Sequence, residues 1–141
     1  GLGDVYKRQE EFPAVPDYEM VKELEAAAKK LDIPYNIGVT ISKDSFYTEV
    51  SPETKPVYYE LKNKWEAYEK GGATNSSMEC ATLFLVAASL DIRMSSVMIS
   101  ATNYKSYSND DKDYPREWED RAIQVGIEAM TQIIKKDMAD R

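Results

Sequence analysis

MECATLFLVAASL, residues 78–90, is apolar nearly all the way round a helical wheel. A helix without a wet face has to be covered on several sides. That requirement constrains the fold more than any other segment does. Such cover comes from packed layers of secondary structure, and the flanking sequence offers candidates for them. ATNSS, residues 73–77, precedes the helix as a short strand, and RMSSVMISAT, residues 93–102, follows it as another. The most apolar part, ATLFLVAASL, is ten residues long, too short to span a bilayer.

Upstream, the pattern alternates between helical and extended. Met20, Val21, Leu24, Ala28 and Leu31 recur at helical spacing, with Asp17 as N-cap and Pro34 as terminator. NIGVTIS, residues 36–42, places Ile37, Val39 and Ile41 on one face of a strand. KDSFYTEVSPETKP, residues 43–56, reads as a loop because Pro52 and Pro56 disfavour a regular element. A helix comes next, from about Val57 to Lys70, with Val57, Leu61, Trp65 and Tyr68 as its apolar stripe. Glu60/Lys64 and Glu66/Lys70 support it as i,i+4 pairs, and Gly71-Gly72 closes it. NYKSYSNDDKDYP, residues 103–115, is a polar loop of lid-like length. Trp118, Ala122, Val125, Ala129 and Ile133 then mark a last amphipathic helix ending in Lys135-Lys136. Alternating helices and strands give an α/β class with a largely buried sheet. Three strands are few for such a sheet, which agrees with further strands upstream.

The 141 residues suit one domain, and 43% hydrophobic with 30% charged residues is a globular mix. A net charge of −7 argues against nucleic acid and anionic membranes as partners. Cys80 is the single cysteine, so no internal disulfide forms and a reducing cytoplasm is the simplest compartment. Its apolar context makes it a buried, inert thiol. There is no histidine, which excludes His-assisted nucleophiles and His-containing zinc sites within this chain, and no metal site is expected.

The first nine residues, GLGDVYKRQ, fit badly with the rest of the chain. DVYKRQ is what one frame of a widely used transposon-end sequencing adapter would encode. Residues 1–9 are therefore expected to be an adapter artefact. Residues 10–141 are then expected to be a fragment, the C-terminal part of a longer domain.

Open α/β sheets bind ligands at the carboxyl ends of their strands. Three loops qualify. The first carries Lys43, Ser45 and Phe46, the second Ser77, Met78 and Glu79, the third Asn103 and Tyr104. An aromatic face, a carboxylate at a helix start and a side-chain amide suit a small polar ligand with a flat ring. Lys43 and Asp44 read as a solvated turn. Phe46 by itself reads more readily as core than as a stacking platform. Glu79 lies three residues after Ser76, the spacing of a capping box, so it either closes the helix start or faces a ligand.

At these residues a resemblance enters. EFPAVPDYE (11–19), GVTISKDSFY (38–47), NSSMECATLFLVAA (75–88) and the strand ending at Asn103 succeed one another in one order with nearly unbroken spacing. Together they resemble the C-terminal half of the hexameric nucleoside phosphorylase family, in its uridine phosphorylase branch. The resemblance implies a three-layer α/β fold, a mixed sheet flanked by helices and incomplete here because its N-terminal strands are missing. It implies phosphorolysis of a pyrimidine nucleoside, uridine-like, to free base and ribose 1-phosphate in the full-length protein, with the fragment inactive. Inorganic phosphate would be co-substrate, no cofactor would be needed, and the complete protein would be a homohexamer. The family's Glu-Met-Glu motif falls on Ser77-Met78-Glu79. This implies that Glu79 binds the ribose hydroxyls as the catalytic carboxylate and that Met78 packs against sugar and base. Phe46 would stack on the base. Asn103 stands where purine-specific relatives carry an aspartate. Three departures accompany the match. Ser77 replaces the motif's first glutamate. Glu49 and Val50 occupy the positions nearest the uracil-reading pair, which makes Glu49 a base-edge candidate. Tyr104, a second candidate, stands where an arginine is frequent. The family's glycine-rich phosphate loop and phosphate-binding arginines belong to the N-terminal half. The departures keep two alternatives open, a non-catalytic nucleoside-binding or regulatory protein and a purine nucleoside phosphorylase or nucleosidase.

Overall fold

The computed structural model describes residues 13–101, 103 and 114–140. The elements run α1 (Tyr18–Lys30), β1 (Val39–Ser42), α2 (Tyr47–Val50), a 3-10 turn (Pro52–Thr54), α3 (Tyr58–Lys70), β2 (Ala73–Ser77), α4 (Cys80–Ser89) and α5 (Arg116–Ala139). Helices and strands alternate as the sequence pattern requires. Among the described residues, no helix is long and apolar enough to cross a membrane.

β1 and β2 pair in parallel, with Ile41 opposite Ser76 and Ser42 opposite Ser77. Parallel pairing needs a crossover, and α3 supplies it. The register brings the carboxyl ends of both strands together, where Lys43 N–H continues the ladder to the Ser77 carbonyl at 3.0 Å.

α1 starts where the sequence places it. The Asp17 carboxylate accepts from Met20 N–H at 2.9 Å, a side-chain N-cap. The helix ends before Pro34 on its own geometry. Asp32 takes a left-handed φ of 53°, and Ile33 N–H returns to the Ala28 carbonyl at 3.0 Å. α4 ends the same way, with Asp91 at φ 53° and Ile92 N–H on the Ala87 carbonyl at 2.9 Å. Replacing Asp17 with alanine is expected to cost about 1 kcal/mol, read as a lower midpoint in thermal melts. An unchanged midpoint would deny the cap a role.

The best-packed region is the α1–α5 contact. Ala27, Ala28, Val125 and Ala129 form its buried centre, with Leu24 and Ile33 packed against it. The small side chains let the two helices approach closely. Lys30 bonds Glu128 at 2.6 Å, and Lys136 pairs with the buried Glu23, so ion pairs flank the apolar seam.

Three expectations need correction. Residues 43–56 are not a bare loop but hold α2 and the 3-10 turn. Pro52 opens that turn, where its fixed φ fits and its missing N–H is not needed. The segment from Arg93 to Ala101 is not assigned as a strand. An apolar run such as Val97-Met98-Ile99 suits a strand, but a strand also needs a paired edge. This segment instead meets the start of α1, where Asp17 N–H donates to the Met94 carbonyl at 2.7 Å. α4 is not covered on several sides either. Cys80, Phe84 and Ala87 are buried, while Leu83, Val86 and Leu90 are 46%, 50% and 61% exposed.

Candidate functional site

A cavity of about 460 Å³ opens at the carboxyl ends of β1 and β2. Ile41, Lys43 and Phe46 line it from the first strand and its loop. Ser76, Ser77 and Met78 line it from the second strand and its loop, and Asn103 lines it from the segment that follows α4. The loop after each strand thus contributes, which is the general behaviour of open α/β sheets. Glu49 lines the cavity too. Phe46, Glu49, Ser77, Met78 and Asn103, all named from sequence, are therefore brought together. Glu79 is not among the lining side chains, and Tyr104 lies outside the described residues, as do residues 1–9.

The start of α4 settles how its N-terminus is satisfied. The Ser77 hydroxyl accepts from Cys80 N–H at 3.0 Å and from Glu79 N–H at 3.3 Å. Ser77 is thus the side-chain cap, and the Ser76–Glu79 capping box does not form. Glu79 occupies the N-cap position without capping. Its Oε2 accepts from the neighbouring Met78 N–H at 2.9 Å, and the residue is exposed. Ser42 adds a tie between the strands and the helix, its hydroxyl accepting from Ala81 N–H at 3.0 Å. Cys80 is buried beside Ser96 Oγ at 3.5 Å and Met98 Sδ at 3.9 Å.

Ser76 is free for another task because it does not cap. Its hydroxyl donates to Glu49 Oε2 at 2.7 Å and accepts from Lys43 Nζ at 3.0 Å. Lys43 also pairs directly with Glu49. The two charged side chains are only 9% and 10% exposed. The Lys43 ammonium lies 5.1 Å from the Phe46 ring centroid and 5.7 Å from that of Trp65. The Trp65 indole N–H donates to the Thr48 carbonyl at 3.0 Å, which fastens α2 onto α3. Burial pushes the Lys43 ammonium down from its ordinary value, and the nearby Glu79 charge acts the other way.

The reading of Lys43 as a solvated turn is thus overturned. Strand periodicity held the missing signal. Side chains alternate with a period of two, so Lys43 continues the face of Ile37, Val39 and Ile41. Lys43 and Ile41 accordingly share the cavity wall. Asp44, one residue on, is exposed. Trp65 was legible as a helix stripe but not as part of this wall.

Chemically, the wall offers an aromatic face, a thioether, hydroxyls, an amide and one neutralised ion pair. Among the described residues no group of histidine, cysteine and carboxylate side chains could hold a metal ion. Such a wall suits a polar heterocycle carrying hydroxyl groups.

Residues 3–136 match the model of the phosphorylase superfamily. A uridine phosphorylase of Treponema pallidum is 34% identical over 127 residues, covering 90% of this chain and 49% of the relative. The uridine phosphorylase of Escherichia coli is 29% identical over 127 residues, covering 88% and 50%. A guanosine phosphorylase of Halorubrum lacusprofundi is 31% identical over 129 residues, covering 86% and 48%. The chain spans about half the length of the curated relatives it matches. With almost its whole length inside the matched segment, the chain belongs to the phosphorylase superfamily.

Proposed function

We propose that this chain carries the nucleoside-binding part of a pyrimidine nucleoside phosphorylase, acting on a uridine-like substrate. The observation that carries the reading is the convergence of Phe46, Ser77, Met78 and Asn103 on one cavity at the strand ends. In this reading the base stacks on Phe46 with Asn103 nearby, and Met78 packs against sugar and base. Glu79 turns from Met78 N–H to the ribose hydroxyls. Turning costs it the exposed bond from Met78 N–H and no helix cap, since Ser77 does the capping.

The reaction needs no covalent nucleophile. A phosphate oxygen bonds to C1′ as the C1′–N bond breaks, and the bonding pair leaves with the base, which takes up a proton. Catalysis rests on holding phosphate and sugar in line and stabilising the oxocarbenium-like charge. The phosphate-holding arginines implied by the resemblance are not among the cavity side chains, where Lys43 is the cation on the described wall. They are assigned to the part of the domain that these 141 residues do not contain. In this reading residues 10–141 form the C-terminal part of a three-layer domain that assembles as a homo-oligomer. The exposed Leu83 and Val86 of α4, Leu90 just past its end, and Ile123, Ile127 and Ile134 of α5 support further layers, since uncovered apolar faces mark contact surfaces.

The test is an assay of the protein from the complete reading frame containing these residues. Uridine is consumed when phosphate is present and not when it is withheld. No base release from any common nucleoside would overturn the reading. Ser77 in place of the motif's first glutamate favours one second reading, a nucleoside-binding protein without catalysis. That reading predicts uridine binding with no turnover.

A further inference from the structure

We infer that Lys43 and Glu49 form the base-recognition edge of the cavity, selecting bases that present a ring carbonyl beside a ring N–H. Bases that present an amino group beside a bare ring nitrogen are disfavoured. The inference rests on the nucleoside reading above and adds which bases the site accepts.

Three elements deliver the cluster. Lys43 comes from the end of β1, Glu49 from α2 and Ser76 from β2. All three line the cavity rather than the α1–α5 core. As a latch alone the cluster is a poor device. A covered ion pair gains little over apolar side chains of equal volume, because desolvation offsets the attraction. Its place on a cavity wall gives it something to recognise.

The remaining bonding capacity defines what that is. An ammonium has three N–H donors, and Glu49 and Ser76 take two of those of Lys43. The bonds from Lys43 and Ser76 to Glu49 both fall on Oε2. A carboxylate has two oxygens with about four lone-pair sites, so Oε1 keeps acceptor capacity. The wall therefore presents a donor beside an acceptor. Uracil, thymine, guanine and hypoxanthine offer the complement, a carbonyl oxygen beside a ring N–H. Cytosine and adenine offer the reverse. They would set an amino donor against the ammonium and a ring lone pair against the carboxylate. Polar groups left mismatched in a covered site discriminate far more strongly than a difference in shape. The pair also stands beside Phe46, 5.1 Å from Lys43 Nζ to the ring centroid, so a base on that ring brings its edge here.

Titration calorimetry of the protein from the complete reading frame with uridine, inosine, cytidine and adenosine, phosphate withheld, tests the inference. Uridine and inosine are expected to bind at least about tenfold more tightly than cytidine and adenosine, the effect of roughly one well-made hydrogen bond. Glu49→Gln, whose amide presents either an N–H or a carbonyl, should shrink that ratio to about twofold while all four still bind. Lys43→Arg keeps charge and donors and should retain the preference. Equal binding of the four by the unaltered chain would overturn the inference and leave the nucleoside reading standing. So would an undiminished preference in a Glu49→Gln protein with a native melting curve. No binding of any nucleoside would overturn the nucleoside reading itself, and this inference with it.

Discussion

Replacing Glu49 with alanine is expected to lower the unfolding free energy by about 3 kcal/mol or more, the cost of breaking a covered ion pair. The reason lies in what remains. Lys43 keeps the Ser76 hydroxyl at 3.0 Å but loses its counter-charge, with its side chain 9% exposed. The Phe46 and Trp65 rings beside the ammonium recover part of the loss, as cation–π contacts of about 0.5–2 kcal/mol do. Urea denaturation of the single variant and of Lys43→Met/Glu49→Leu separates pair from packing. The double variant should recover most of the loss, because no charge is left buried. A single variant within about 0.5 kcal/mol of the parent would show the pair to be wet and energetically idle.

Replacing Glu79 with alanine is the second large effect, and it falls on catalysis rather than on folding. Two bonds from a carboxylate to ribose hydroxyls are charge-assisted, each worth about 1.5–3 kcal/mol. In the protein from the complete reading frame, kcat/KM for uridine should fall by about tenfold to a hundredfold per bond lost. Stability should change little, because Ser77 and not Glu79 caps α4. The one bond Glu79 makes within its own turn, from Met78 N–H at 2.9 Å, is exposed and replaceable by water. An unchanged kcat/KM with normal folding would remove Glu79 from the ribose role.

How much of this was legible in the sequence depends on whether the signal was local. α1, α3 and α5 announce themselves through stripes of helical period, and Asp17 is a cap because its side chain reaches only its own first turn. The strand-end rule drew attention to the loops of Phe46, Ser77 to Glu79 and Asn103, and the resemblance gave those residues roles. What the sequence did not disclose depends on partners far along the chain. Residues 93–101 read as a strand from their composition, but pairing is a property of two segments, and Met94 meets Asp17 instead. α4 carries its apolar residues all round, but composition does not say which side the rest of the fold covers. Lys43 reads as a solvated turn because its charge outweighs its place one residue past β1, in line with Ile41 on the cavity wall. Ser76 and Ser77 exchanged roles for a similar reason. Their spacing to Glu79 suits a box, whereas the strand register directs Ser76 to Glu49 and leaves Ser77 at the helix start.

Everything about the site turns on whether this cavity serves phosphorolysis of a nucleoside. Phosphorus NMR of the protein from the complete reading frame, incubated with uridine and inorganic phosphate, decides it. Phosphorolysis predicts a ribose 1-phosphate resonance that grows in step with free uracil and shrinks in the Glu79→Ala protein. Uracil released with free ribose and no sugar phosphate, or uridine left intact, would refute it.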